Sequence, residues 1–104
     1  MQLTKTFEGD LEGSSRVEML SVTGTVETSR AYVALERIEG RLHGRAGSFV
    51  LMHTGTATRD GNQARWSIVP DTATGELRGL QGEAEIVIGP DGGHSLVLEY
   101  ELER

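Results

Sequence analysis

Apolar residues along this chain fall in short runs that alternate with polar ones, and glycines stand between the runs. The clearest run is 94–102, where Leu96, Leu98, Tyr100 and Leu102 share one side and Ser95, Val97, Glu99 and Glu101 share the other. A period of two residues is the mark of a half-buried strand. The same reading predicts strands over 3–7, 17–22, 32–38, 48–54, 64–69 and 84–88. In the third, Tyr32, Ala34, Glu36 and Ile38 form one face, with Val33, Leu35 and Arg37 behind them. In the fourth, Phe49, Leu51 and His53 oppose Val50, Met52 and Thr54. No long stretch carries a 3.6-residue apolar period, so little helix is expected.

The punctuation fits this reading. Gly9-Asp10 closes the first strand, 13–15 reads as a further bend, and the polar stretch 23–30 reads as a loop. Glycines at 40, 44 and 47 predict a flexible link over 40–47. Arg59-Asp60-Gly61-Asn62 predicts a tight hairpin, since Asp-Gly and Gly-Asn suit the turns that match strand twist. Pro70 stops the fifth strand, glycines at 75, 79 and 82 break up the segment after it, and 90–93 reads as the last turn. Seven strands at roughly ten-residue spacing, with no internal repeat, predict an all-β sandwich or barrel.

Composition narrows the function more than the fold. At 104 residues the chain is expected to be one domain, 1–104. Apolar residues at 37% and charged ones at 25% suit a soluble globular protein. A net charge of −6 without a lysine or arginine cluster argues against nucleic acid as a partner. With no cysteine, disulfides, thiolate nucleophiles and thiolate metal sites are all absent. The opening residues lack the basic start and apolar run of a secretion signal, and no apolar run approaches the ~18 residues of a membrane helix. A cytoplasmic protein with no membrane partner is expected.

Three motifs in order carry a resemblance: F-E-G-D-L-E-G at 7–13, Y-V-A-L-E-R-I-E-G-R-L-H-G-R-A-G-S-F-V-L-M-H-T-G at 32–55, and V-P-D-T-A-T-G-E-L-R-G-L-Q-G at 69–82. With the closing H-S-L-V-L-E-Y-E-L, the chain resembles a bacterial family catalogued as a domain of unknown function. That family is related to the allene oxide cyclase-like, lipocalin-like β-barrels. The resemblance implies an all-β, antiparallel, up-and-down barrel of roughly eight strands, about seven of them here, with a small internal cavity. In the wider superfamily, cyclases act on fatty-acid-derived or polyketide-like substrates. Two departures stand out. Ala73 replaces a glycine usual in relatives, and Met1 stands almost directly before the first motif, where relatives carry a further strand. A barrel short of one strand keeps open edges, and the expectation is a homodimer through those edges or a rearranged closure.

Glu36 and His53 are the candidate catalytic residues. If the third and fourth strands pair, both point inward, and a carboxylate beside an imidazole is an acid–base unit. It is equally a pair that satisfies itself inside a core. Tyr32, Phe49, Leu51, Leu98 and Tyr100 are the candidate ligand-binding residues, on the faces expected to line the interior. Glu18 is a further carboxylate, better read as a solvated strand residue. His43, His53 and His94 lack ligand-like spacing, so no metal is expected. Ser14, Ser15, Ser48 and Ser67 lie outside any nucleophile elbow, there is no nucleotide-binding loop, and no cofactor is expected. Trp66 is read as lining the interior or an interface.

Three functions fit these residues. The first is a barrel that binds a small apolar molecule. The second is a cofactor-independent cyclase or isomerase using Glu36 and His53, with Tyr32 or Tyr100 orienting the substrate. The third is an interaction module that assembles through open edge strands.

Overall fold

The computed structural model describes residues 2–102 apart from 8, 10, 27, 89 and 91–93, with backbone alone at 2–5, 88 and 94. Seven strands follow in chain order: β1 (Gln2–Phe7), β2 (Leu11–Thr23), β3 (Arg30–Leu42), β4 (Arg45–Thr58), β5 (Gly61–Ile68), β6 (Leu80–Ile88) and β7 (His94–Leu102). A single 3₁₀ turn, Gly75–Leu77, lies between β5 and β6. Each strand pairs antiparallel with its sequence neighbour, so the sheet order is β1 to β7 without a crossover. The sheet curls into a half-barrel with β1 and β7 as its two edges. The all-β architecture expected from the apolar period is found, and the antiparallel up-and-down order is the one the resemblance implies.

Alternation sets the inside and the outside. On β3, residues 34, 36, 38 and 42 are buried while 33, 35, 37, 39 and 41 are exposed. On β4, 49, 51, 53 and 55 are buried. The core on the concave face gathers Leu11, Ile38, Leu42, Phe49, Leu51, Ile68, Leu77 and Leu80, with Phe7, Trp66, Ala73, Ala84, Leu96, Leu98, Tyr100 and Leu102 packed around it. Removing this apolar surface from water is the main term favouring the curl, because a flat sheet would leave it exposed.

Several boundaries differ from the sequence reading, each for a local reason. The expected link over 40–47 is only the pair His43-Gly44, since Leu42 pairs with Arg45. Both loop residues have positive φ, 49° and 80°, the geometry that matches a two-residue hairpin to strand twist. Gly40 and Gly47 are ladder partners inside the strands. Gly40 is glycine because β2 passes too close for a side chain: a Cβ there would lie 1.9 Å from the Glu12 carbonyl oxygen. The bend expected at 13–15 likewise lies within β2. The hairpin after β4 turns on Arg59-Asp60, with Thr58 paired to Gly61. There the Thr58 hydroxyl accepts the Asp60 amide at 3.2 Å, a side-chain turn that the Asp-Gly signal does not foretell. β6 begins at Leu80 rather than 84. Residues 91–93 of the last expected turn lie outside the described residues.

The segment after β5 does not leave the sheet empty-handed. Beyond the Leu51–Ile68 pair, β4 stays paired with β3 but loses its ladder partner on the β5 side. Threonine side chains take over. The Val50 amide donates to Thr72 Oγ1 at 3.1 Å and the Ser48 amide to Thr74 Oγ1 at 3.1 Å, while the Thr74 amide donates to the Ser48 carbonyl at 2.8 Å. The Ala46 amide reaches Glu76 Oε1 at 3.2 Å. Leu77 closes the end of the core at 1% exposure. Gly47 admits this plug, because a Cβ on it would sit 2.1 Å from the Thr74 carbonyl. Ala73 packs against the core, which is where its methyl group goes.

Candidate functional site

Two features of the concave face have chemical content, and they adjoin. The first is a chain of buried polar side chains across β2, β3 and β4. Glu36 stands opposite Val17 on β2 and Leu51 on β4, so Ser15 and His53 are its diagonal neighbours. Diagonal partners on one sheet face are within reach of side chains of this length. The Ser15 hydroxyl donates to Glu36 Oε2 at 2.5 Å, and His53 Nε2 meets Glu36 Oε1 at 2.8 Å. His53 also stacks on Trp66, its direct partner on β5, with centroids 3.5 Å apart and planes at 26°. Ser15, Glu36 and His53 are 3%, 1% and 4% exposed.

A buried carboxylate is costly unless it is paired and hydrogen-bonded. Here both oxygens have partners, and among the described residues no buried side-chain nitrogen or oxygen lacks one. The order of contacts sets the chemistry. In a serine–histidine pair the hydroxyl meets the imidazole, whereas Ser15 donates to the carboxylate and Glu36 lies between the two. The arrangement links three strands through one carboxylate.

The second feature is a cavity of about 500 Å³ at the open end of the half-barrel. Its walls include Met19 and Ser21 of β2, Tyr32 of β3, Gly55 and Ala57 of β4, and Asn62 and Ala64 of β5. The space exists because small residues continue the inward row of β4 beyond His53. Tyr32 is the ladder partner of Gly55 and lays its ring over it, so that a Cβ at 55 would be 2.3 Å from Tyr32 Cε1. Burial pushes the Tyr32 hydroxyl above its usual pKa, keeping it protonated and able both to donate and to accept. Ser15, Glu36 and His53 are not among the residues lining this cavity.

The sequence candidates therefore separate. Glu36 and His53 come together and face inward. Tyr32 lies at the mouth. Phe49 and Leu51 are core residues with no exposure. Leu98 and Tyr100 line a different cleft, of about 520 Å³, beside the edge strands. His43 sits on its turn with its ring 6.0 Å from that of Tyr100, and the side chain of His94 lies outside the described residues. Glu18 is on the convex face, exposed, beside Leu20, Leu35 and Met52. Among the described residues, no group of three or more His, Asp or Glu is placed to hold a metal, and no helix is long and apolar enough to cross a membrane. Sequence reasoning passed over Ser15 and the mouth residues Met19, Gly55, Ala57 and Ala64. A signal was available: Ser15 and Met19 keep step with Val17, and Gly55 and Ala57 keep step with His53.

Comparison with known proteins gives a family without an activity. The model of the family described as "Protein of unknown function (DUF3224)" matches residues 1–100. A crystal structure of a protein of unknown function from the DUF3224 family of Shewanella oneidensis MR-1 is 43% identical and superposes with a TM-score of 0.91. The match covers 100% of this chain and 77% of that one. No curated protein matches the chain.

Proposed function

The chain belongs to the DUF3224 family of bacterial proteins of unknown function, and from its geometry we propose that it binds a small, largely apolar molecule at the mouth of the half-barrel beside Tyr32. The observation that carries this reading is the cavity itself. Its volume of about 500 Å³ lies within the range of small-molecule sites. Its walls combine Met19, Ala57 and Ala64 with the hydroxyls of Ser21 and Tyr32, the amide of Asn62 and the charged Arg30. Such a lining suits an apolar body with one polar group to orient it. The Ser15–Glu36–His53 cluster lies further along the same strands and ties β2, β3 and β4 together, the last two of which carry Tyr32 and Gly55.

Nile red, whose emission rises in apolar surroundings, supplies the test. Saturable binding is expected, weakened about tenfold or more in Ala64→Phe, which fills the cavity from β5 opposite Gly55. Equal binding by this variant, with the fold intact by circular dichroism, contradicts the reading.

A second reading, a cyclase or isomerase using Glu36 and His53, has their 2.8 Å contact in its favour. It requires a substrate to reach two side chains that the fold buries, so the binding reading takes precedence.

A further inference from the structure

The mouth beside Tyr32 has an order from rim to interior that the strand ladders fix. Thr23 of β2, Arg30 of β3, Ala57 of β4 and Asn62 of β5 are successive ladder partners and make its outermost row. The next row inward is Ser21, Tyr32, Gly55 and Ala64, and Met19 lies one row deeper on β2. Residues two apart share a face of a strand, so these rows continue the concave side that carries the buried 34, 36 and 38. All of them line the cavity. Passing inward, a row of hydrogen-bond donors gives way to two hydroxyls among small residues, and then to a thioether.

Charge singles out the rim. The chain has 16 Asp and Glu against 10 Lys and Arg, and a cavity whose charge is positive runs against that excess. Among the described residues, no carboxylate lines it and Arg30 is its one charged wall residue. Arg30 is exposed. Its ladder partner Ala57 sets only a methyl group between it and Asn62. A guanidinium presents a planar fork of N–H donors that matches a carboxylate, and it stays charged at any ordinary pH. The Thr23 hydroxyl and the Asn62 amide are further donors in the same row. One guanidinium balances one negative charge. A doubly charged phosphate would call for a second cation, in a protein whose net charge is already −6.

We propose that the mouth binds an apolar monoanion, with its carboxylate held at the rim by Arg30, Thr23 and Asn62 and its apolar body directed inward past Tyr32 toward Met19. This assignment rests on the mouth being a small-molecule site, and adds the charge and the direction of what it holds. Because Arg30 is exposed, the preference for an anion is greatest at low salt and shrinks as salt screens it.

Three rigid probes of one shape test it by displacing Nile red: naphthalene-2-carboxylate, 2-naphthylmethanol and 2-naphthylmethylammonium. At low salt the carboxylate is expected to compete about tenfold better than the ammonium, with the alcohol between them. In Arg30→Gln the carboxylate should lose its advantage over the alcohol. Arg41→Gln removes an equal charge from the far end of β3 and should keep that advantage. The Arg30 Nε–H resonance should shift with the carboxylate and not with the alcohol. If Nile red binds saturably but carboxylate and ammonium compete equally, the proposal is overturned and the binding reading stands. An advantage that survives in Arg30→Gln, or vanishes alike in Arg41→Gln, overturns it in the same way. No saturable binding of Nile red or of any probe overturns both.

Discussion

The two sides of the half-barrel are built to different standards. Between β2, β3 and β4 the ladders are unbroken, from Leu11–Leu42 to Thr23–Arg30 and from Arg30–Ala57 to Leu42–Arg45. Between β5 and β6 the register is two pairs, Trp66–Ala84 and Ser67–Glu83. Glycines bring backbones close on both sides, Gly13 and Gly40 on the first and Gly82 against β7 on the second, but the buried polar cluster belongs to the first. The second carries half-buried apolar residues inside and carboxylates outside. The β6–β7 ladder is itself continuous, from Leu80–Leu102 to Ile88–His94, so the weak seam lies between β5 and β6. Ligand contacts assigned to the mouth lie mainly on the firm wall.

The largest effect is expected where the firm wall is pinned. His53→Ala removes one partner of a buried carboxylate, and about 3–5 kcal/mol of stability should be lost in urea unfolding. A loss below about 1 kcal/mol would mean that Glu36 finds water or relaxes, and the wall is not pinned there. Replacing Glu36 and His53 together with apolar residues of similar volume should cost less than His53→Ala alone, because no unpaired charge remains. Next comes Gly40→Ala, which sets a Cβ against the backbone of β2. About 1–3 kcal/mol is expected, with Gly44→Ala, which has open space around it, as a control for the strain of positive φ alone.

How far could these features be read from the sequence? The period of two placed Glu36 and His53 on inward faces, and pairing of adjacent strands was enough to bring them together. Ser15 escaped because the Gly13-Ser14-Ser15 stretch looks like a bend, and only the tertiary approach of β3 makes Gly13 a strand residue. The link over 40–47 was misjudged for the same reason. Glycine that permits a turn and glycine that admits a neighbour are the same letter. Phe49 and Leu51 were rightly given an inward face, but whether that face lines a cavity or fills a core depends on the plug over 72–77. That plug is held by side-chain hydroxyls, which no apolar period reports. The mouth was less legible still, because a cavity is made by what is small, and Gly55, Ala57 and Ala64 announce nothing alone.

The plug gives a smaller prediction. Thr72→Val keeps the shape but leaves the Val50 amide without its acceptor, and about 1–2 kcal/mol should be lost. Thr74→Val, at a more exposed position, should cost less. Equal and negligible losses would indicate that water replaces both hydroxyls.

The smallest effect is the titration of Tyr32. Its hydroxyl has a raised pKa in the folded protein because burial disfavours the phenolate. The unfolded chain therefore releases this proton first as pH rises, near 10. The contribution to stability is complete below that pH and is lost as pH climbs through the folded value. Urea midpoints should thus fall above about pH 10, and less so in Tyr32→Phe. An identical decline in the variant would assign the alkaline loss to other groups.

The contrast between a buried polar cluster and an open mouth is tested most directly by backbone amide chemical shifts on titration with Nile red. Shifts should centre on Tyr32, Gly55, Ala57 and Ala64, with Ser15, Glu36 and His53 little changed. Shifts centred on Glu36 and His53, with Tyr32 and Gly55 unmoved, would place the ligand in the buried cluster and contradict the account.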